Sequence, residues 1–196
     1  MRVVENAGYV ERRDAISHDW SRLFQGYGIL PILVPNGLDD PGPYFALGAT
    51  GVLLTGGDDL GAEEEPTPRD RTEGKILKQA IALKMPVFGA CRGLQLINHY
   101  FGGSVSRQLP ERHVGEHAIR LASGEELRVN SFHNQGVMTN GVAADLDVFA
   151  DTLGGVVEGV RHRKLPIAAI QWHPERPGPS GGFDRQLLHE WLGKCG

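Results

Sequence analysis

The sequence predicts an α/β fold: a mostly parallel central sheet, helices on both faces, and some added antiparallel strands. Three observations predict it. Short apolar runs alternate with amphipathic stretches of helical period from the N-terminus to Phe101, the pattern of strands covered by helices. One strand-to-helix junction, Gly89-Ala90-Cys91-Arg92-Gly93, carries the glycine spacing of a tight, strained turn. After Gly102-Gly103 the pattern changes to short alternating runs separated by turns, which suits antiparallel strands.

In chain order, Arg2-Val3-Val4 reads as an edge strand, followed by a polar link through Glu11-Arg12-Arg13. Ile16, Trp20, Leu23 and Phe24 recur at helical spacing, so a helix is expected from about Asp14 to Gln25, ended by Gly26 and Gly28. The apolar run Ile29 to Val34 reads as a buried parallel strand closed by Pro35-Asn36-Gly37. Pro41 to Leu47 reads as a short helix or turn, and Gly51 to Leu54 as a third strand. The acidic, proline-bearing stretch from Glu63 to Pro68 reads as a loop. The next segment, Thr72 to Leu83, sets Ile76, Leu77, Ala80 and Ile81 against Lys75, Lys78 and Gln79, an amphipathic helix. Pro86-Val87-Phe88 ends a buried strand, and a helix begins at Arg92. Beyond it, the runs 118–121, 127–129 and 146–149 suit hairpins, Val156 to Val160 and Ile167 to Gln171 two further strands, and Phe183 to Leu192 a closing helix. No internal repeat, linker or low-complexity segment interrupts the chain, which reads as one domain over residues 1–196.

Composition narrows the function classes. A net charge of −4 over 196 residues gives no support for a nucleic-acid or anionic-membrane partner. No apolar run has the length of a signal peptide or a membrane span. The two cysteines, Cys91 and Cys195, lie in such different settings that free thiols are expected, in a cytoplasmic, reducing location.

Chemistry concentrates at Cys91. Glycines two residues away on each side let the backbone crowd itself at the turn. The helix that starts at Arg92 points its N-terminal N–H groups at the sulfur, which favours thiolate over thiol. The plainer reading is a buried core cysteine beside glycine turns. Thr55-Gly56-Gly57-Asp58 lies at a strand end and has three readings. It lacks the lysine and hydroxyl of a phosphate loop. It suits a plain turn, or a backbone N–H donor to a developing oxyanion beside Cys91.

Immediately after the strand that ends at Gln171 come Trp172-His173-Pro174-Glu175. His173 and Glu175 are two apart in an extended stretch, so their side chains emerge on one side, and Pro174 restrains His173 to extended geometry. A carboxylate so placed holds an imidazole in one tautomer and stabilises its charged form. With Cys91 on a strand end of the same sheet, a Cys–His–carboxylate nucleophile is expected. A zinc-type site of His113, His117 and His133 has suitable spacing, but no cysteine or carboxylate completes it in sequence, so no metal and no cofactor are expected.

Gly89-Ala-Cys-Arg-Gly-Leu-Gln95 together with Gln171-Trp-His-Pro-Glu175 resembles the class I glutamine amidotransferase superfamily, in particular its γ-glutamyl hydrolase branch. Arg69-Asp70 with Glu73, the run Asn130 to Gln135 and Thr55 to Asp58 fit the same branch. Glu11-Arg12 before Asp19-Trp20, His113-Val114-Gly115 with His117, and the helix end His99-Tyr100-Phe101 are similar to the hydrolases of γ-glutamyl-CDP-amidate in capsular phosphoramidate synthesis. The resemblance implies the flavodoxin-like class I amidotransferase fold and cleavage of a small γ-glutamyl amide through a thioester. It implies Cys91, His173 and Glu175 as catalytic residues, Gly57 and Arg92 as backbone oxyanion donors, and Gly56, Gln95, His133, Asn134 and Gln135 as substrate-binding residues. The expected leaving group is CDP-amidate, next a γ-aminobutyrate-like amine. Arg69 and Arg71 could face a phosphate on it, or be merely solvated. A glutaminase subunit serving a partner synthetase would carry the same triad, and a non-catalytic thiol protein on this fold would keep Cys91 alone. Self-association is left open.

Overall fold

A computed structural model describes residues 1–5, 8–9, 11–61, 65–110 and 113–195, with only the backbone of His113. The main sheet is mixed. Its strands are β3 (Val52–Leu54), β4 (Val87–Ala90), β5 (His113–Leu121), β6 (Glu126–His133), β7 (Val137–Met138), β8 (Leu146–Asp151), β9 (Val156–His162) and β10 (Ile167–Ile170). They lie in the order β3-β4-β10-β9-β8-β5-β6, with β7 on β9. β3, β4 and β10 are mutually parallel, and every other pairing in this sheet is antiparallel. The parallel part is thus three strands wide, and the antiparallel additions are larger than the sequence suggested.

Helices cover both faces. Leu77 and Ala80 of α3 (Pro68–Ala82) and Leu94, Leu96 and Ile97 of α4 (Arg92–Tyr100) pack with Val87, Ala169, Val157 and Val160 on one side. On the other side Leu187, Leu188 and Trp191 of α5 (Gly181–Leu192) pack on Phe88, Ile170 and Trp172. Trp20 and Phe24 of α1 (His18–Gly26) extend that layer against Ala90. Alternation of Val87 and Phe88 between the two clusters follows the two-residue strand period. A short α2 spans Gly42–Phe45. Thr67 starts α3 with a capping box: its hydroxyl accepts from the Asp70 amide while the Asp70 carboxylate accepts from the Thr67 amide. Pro68 at the first helical position needs no donor there, so the helix begins four residues before Thr72.

Two expectations at the N-terminal end are corrected. Arg12–Ala15, expected as the end of a polar link (Glu11-Arg12-Arg13) and the start of a helix at Asp14, forms β2 and pairs antiparallel with β1 (Arg2–Glu5) as a separate two-stranded ribbon, so that α1 begins only at His18. Ile29 to Val34, expected as a buried parallel strand, joins no sheet; Leu30 is 93% exposed and Leu33 45%. Pro31 removes a ladder donor from the middle of that run, and Gly28 enters it at a φ of +66°. Apolar composition alone did not make a strand there.

Among the described residues no helix is long and apolar enough to cross a membrane. Leu188 sits at the α5–sheet contact, 2% exposed. Leu188→Ala is expected to lower stability by about 2–5 kcal/mol, read as an earlier urea midpoint with an unchanged slope.

Candidate active site

Cys91 caps α4 with φ +55° and ψ −108°, a backbone conformation costly for a residue with a Cβ. The turn is held from both sides: the Cys91 amide donates to the Ile170 carbonyl at 2.8 Å, and the Cys91 carbonyl accepts from Leu94 at 3.0 Å. Its glycines are sterically required. A Cβ on Gly93 would strike the Leu54 carbonyl, and one on Gly89 would lie 2.8 Å from the Gly93 carbonyl carbon. The elbow inferred from spacing is therefore present, between the end of β4 and the start of α4.

β10 lies beside β4 in register, with Ile170 opposite Ala90. The chain leaves both strands in the same direction, so His173 arrives next to Cys91. The imidazole lies beside the sulfur-bearing residue, and its Nδ1 bonds Glu175 Oε1 at 2.7 Å. A Cβ on Gly56 would meet His173 Cε1 at 2.8 Å and Cys91 Cβ at 3.3 Å, so Gly56, Cys91 and His173 converge on one point. Asn130 fixes the backbone behind the imidazole, accepting from the His173 amide and donating to its carbonyl, both at 2.9 Å. The Phe132 ring stands edge-on to His173, centroids 5.8 Å apart, and carries the Arg176 guanidinium 4.4 Å above its centre.

Burial pulls the His173 pKa down. The hydrogen bonds and negative charge of Cys91 and Glu175 outweigh it and push the value up to about 9. Glu175 and His173 meet on the side their spacing suggested, with Nδ1 donating to the carboxylate. Just behind, Trp172 donates its indole N–H to Asp184 at 2.7 Å, and Ser180 donates to the other oxygen of that carboxylate. Burial raises the Asp184 pKa against these hydrogen bonds. Asp184 carried no sequence signal beyond its place in a helical stretch, and Ser180, just before that stretch, carried none.

The expected glutamyl-binding residues gather on the loop after β6. Gln95, one helical turn beyond Cys91, is buried and donates to the Gln135 carbonyl at 2.9 Å and to Gln171 Oε1 at 3.4 Å. It joins the elbow helix to that loop and does not face water. His133 Nδ1 donates to the same Gln135 carbonyl at 2.8 Å. Gln135 itself is buried, and Asn134 is exposed. His133 and His117 both face Glu158, with Nε2 atoms 3.7 and 3.1 Å from its carboxylate. Burial would raise Glu158, and the two histidines hold it below the usual carboxylate range. Glu158 is the carboxylate that the sequence did not offer to the histidine set. The His113 side chain lies outside the described residues, and no group of three or more potential ligands among them could hold a metal ion.

Arg69 is corrected outright. It is 2% exposed and donates to Glu73 at 2.8 Å and to the Thr55 carbonyl at 2.8 Å, so it cannot meet a substrate phosphate. Arg71 is exposed and donates to the Pro66 carbonyl. Cys91 and Cys195 are both free thiols.

A match to the peptidase C26 family covers residues 3–175. The chain belongs to the peptidase C26 family. It is 31% identical to the γ-glutamyl-CDP-amidate hydrolase of Campylobacter jejuni, over 97% of this chain and 94% of that protein. Over 55% of its length it is 39% identical to the anthranilate synthase of Azospirillum brasilense, of which the match covers 16%. Among solved structures, a candidate GMP synthase component from Thermoplasma acidophilum superposes with a TM-score of 0.74 and 25% identity, over 91% of this chain and 87% of that one. This C26 member therefore has the class I glutamine amidotransferase fold and is a hydrolase of amide C–N bonds.

His173 gains a proton-binding partner on folding, so its pKa is raised above the unfolded value of 6.5. The stability this contributes is fully present below about pH 6.5 and lost as pH rises through about 9. Nitrogen NMR of the His173 ring is expected to titrate near 9, and in Glu175→Gln at a lower pH, because one of the two groups that stabilise the charged ring is neutralised.

Proposed function

We propose that this protein hydrolyses the γ-glutamyl amide of γ-glutamyl-CDP-amidate, with γ-glutamyl-γ-aminobutyrate-like amides as the next substrates. The observation that carries the reaction is the convergence of Cys91 and His173 at a strained elbow, with His173 Nδ1 bonded to Glu175. Cys91 Sγ attacks the γ-carbonyl carbon. The tetrahedral oxyanion is held by the backbone N–H groups of Gly57 and Arg92; the Arg92 amide opens a helix, so it has no acceptor within that helix. Loss of one such donor costs about 10²–10³ in rate. His173 takes the thiol proton as the sulfur attacks and then gives it to the leaving nitrogen as the C–N bond breaks, leaving a γ-glutamyl thioester on Cys91. Water attacks the thioester, His173 takes the water's proton and returns it to the sulfur, and glutamate departs. Glu175 orients the ring and stabilises its charged form throughout.

Three features support this choice of substrate. The first is the similarity along nearly the whole chain to a hydrolase of that name. The second is the polar loop beside the elbow helix, where Gln95 and His133 both bond the Gln135 carbonyl. The third is Arg176, whose side chain is 35% exposed above Phe132 with its Nε 3.7 Å from Glu175 Oε1. It offers a cation to a leaving group that bears phosphate. The similarity to anthranilate synthase and to the GMP synthase-type component supports a second reading, a glutaminase that passes ammonia to a synthetase.

Purified protein offered glutamine, γ-glutamyl-γ-aminobutyrate and γ-glutamyl-CDP-amidate separately is expected to release glutamate fastest from the last. Cleavage of glutamine alone, and only with a synthetase present, would select the second reading. Cys91→Ala is expected to abolish turnover of every substrate. Arg176→Ala is expected to raise KM for γ-glutamyl-CDP-amidate about tenfold more than for the γ-aminobutyrate amide, roughly the loss of one exposed charge-assisted contact, while any loss through its 3.7 Å pairing with Glu175 falls on both substrates alike.

A further inference from the structure

The two backbone donors assigned to the oxyanion come from segments distant in sequence, Gly57 after β3 and Arg92 at the start of α4. Their relative placement must be set by something other than local turn geometry. One buried carboxylate reaches both. Glu73 Oε1 accepts from Arg69 Nε at 2.8 Å, and Glu73 Oε2 accepts from Arg92 Nη1. Arg69, one helical turn before Glu73, passes the constraint to the glycine loop: its Nη2 donates to the Thr55 carbonyl at 2.8 Å and to the Gly56 carbonyl at 3.1 Å. Its Nη1 occupies the space that a Cβ on Gly57 would need. Arg92 passes the constraint to the elbow, because the side chain bound to Glu73 and to Asp70 belongs to the residue whose amide faces the oxyanion.

All three members are removed from solvent, with Arg69 2%, Glu73 5% and Arg92 1% exposed. Burial would raise the Glu73 pKa, yet Arg92 and Arg69 hold it below the usual range, so the carboxylate is charged and the bonds are charge-assisted. Asp70 is likewise lowered, burial being outweighed by Thr67 and Arg92. A fixed, water-excluded set of dipoles is what makes an oxyanion site effective, since nothing need reorganise as charge develops.

We infer that Glu73, with Arg69, is a positioning unit for the oxyanion site, clamping the Gly57 loop and the Arg92 amide at a set separation. The inference rests on the proposed oxyanion roles of Gly57 and Arg92, but not on the identity of the γ-glutamyl substrate. It separates the clamp from the triad, because neither Arg69 nor Glu73 bonds His173 or Glu175 in the network described above.

Two reagents for Cys91 read the two parts independently. p-Nitrophenyl acetate acylates the sulfur through a carbonyl oxyanion and expels p-nitrophenolate. Iodoacetamide alkylates it by displacement of iodide, with no oxyanion formed, and so reports only the sulfur and His173. Glu73→Gln and Arg69→Lys are the variants; the second keeps the charge paired with Glu73 but cannot span both loop carbonyls, which protects the fold. In each, acylation is expected to fall about 10–100-fold, somewhat less than outright loss of a donor, with alkylation within twofold of the unaltered protein. With the γ-glutamyl substrate, kcat should fall while KM holds, as for an interaction made only in the transition state. Unchanged acylation would overturn the inference. So would a parallel loss of both rates, by unfolding or otherwise, since that marks the cluster as purely fold-stabilising. An unaltered protein that alkylates but resists the ester would remove the oxyanion site itself. Failure on every γ-glutamyl amide with ester acylation intact would instead reject the proposed function and leave the clamp standing.

Discussion

The site depends on how closely α4 approaches the end of β3. Gly93 lies directly against the Leu54 carbonyl, and only that approach lets Cys91 turn its sulfur outward at a positive φ. A cysteine in this backbone region is strained, and the compensation is distributed: a ladder bond from Ile170, the first turn of α4, and apolar packing of Leu94 and Ile97 beneath it. The nucleophile is therefore placed by the core of the domain and not by a flexible loop, which limits how far it can drift from its base.

Electrostatics follow from the same burial. His173 is nearly closed to solvent, and a lone buried imidazole would stay neutral. Here two acceptor groups, the sulfur and Glu175, reverse that preference. The acidic groups around the site divide by their partners. Glu73 and Glu158 face cations or histidine donors and stay charged more readily, while Asp184, whose hydrogen-bond donors are neutral, is pushed the other way by burial.

Much of this was legible in the chain. Glycine spacing around Cys91 located the elbow because the turn has a steric requirement that few residues meet. His173 and Glu175 were legible because a two-residue extended spacing fixes their common side. The helices α3 and α5 were placed to within a few residues, with α3 starting earlier because Thr67 and Asp70 cap it. What escaped depended on contacts between distant segments. Arg69 reads as a surface cation until Glu73 and the Thr55 carbonyl are seen around it. Glu158 reads as one polar residue in a strand until His117 and His133 converge on it. The run Ile29 to Val34 failed in the opposite sense, since composition favoured a strand while Pro31 and the absence of a paired neighbour did not.

The position of β10 has a consequence for how the molecule comes to exist. This strand is the last of the sheet to be synthesised, yet it sits in the middle, between β4 and β9. A nascent chain that stops short of Ile167 has two half-sheets with open edges, and its sulfur has no imidazole beside it. Closing the gap pairs segments far apart in the chain (β4 with β10), a contact whose loop entropy is met only by the finished core. The sulfur and the imidazole are thereby brought together only when the fold is complete, and a half-made polypeptide holds them apart.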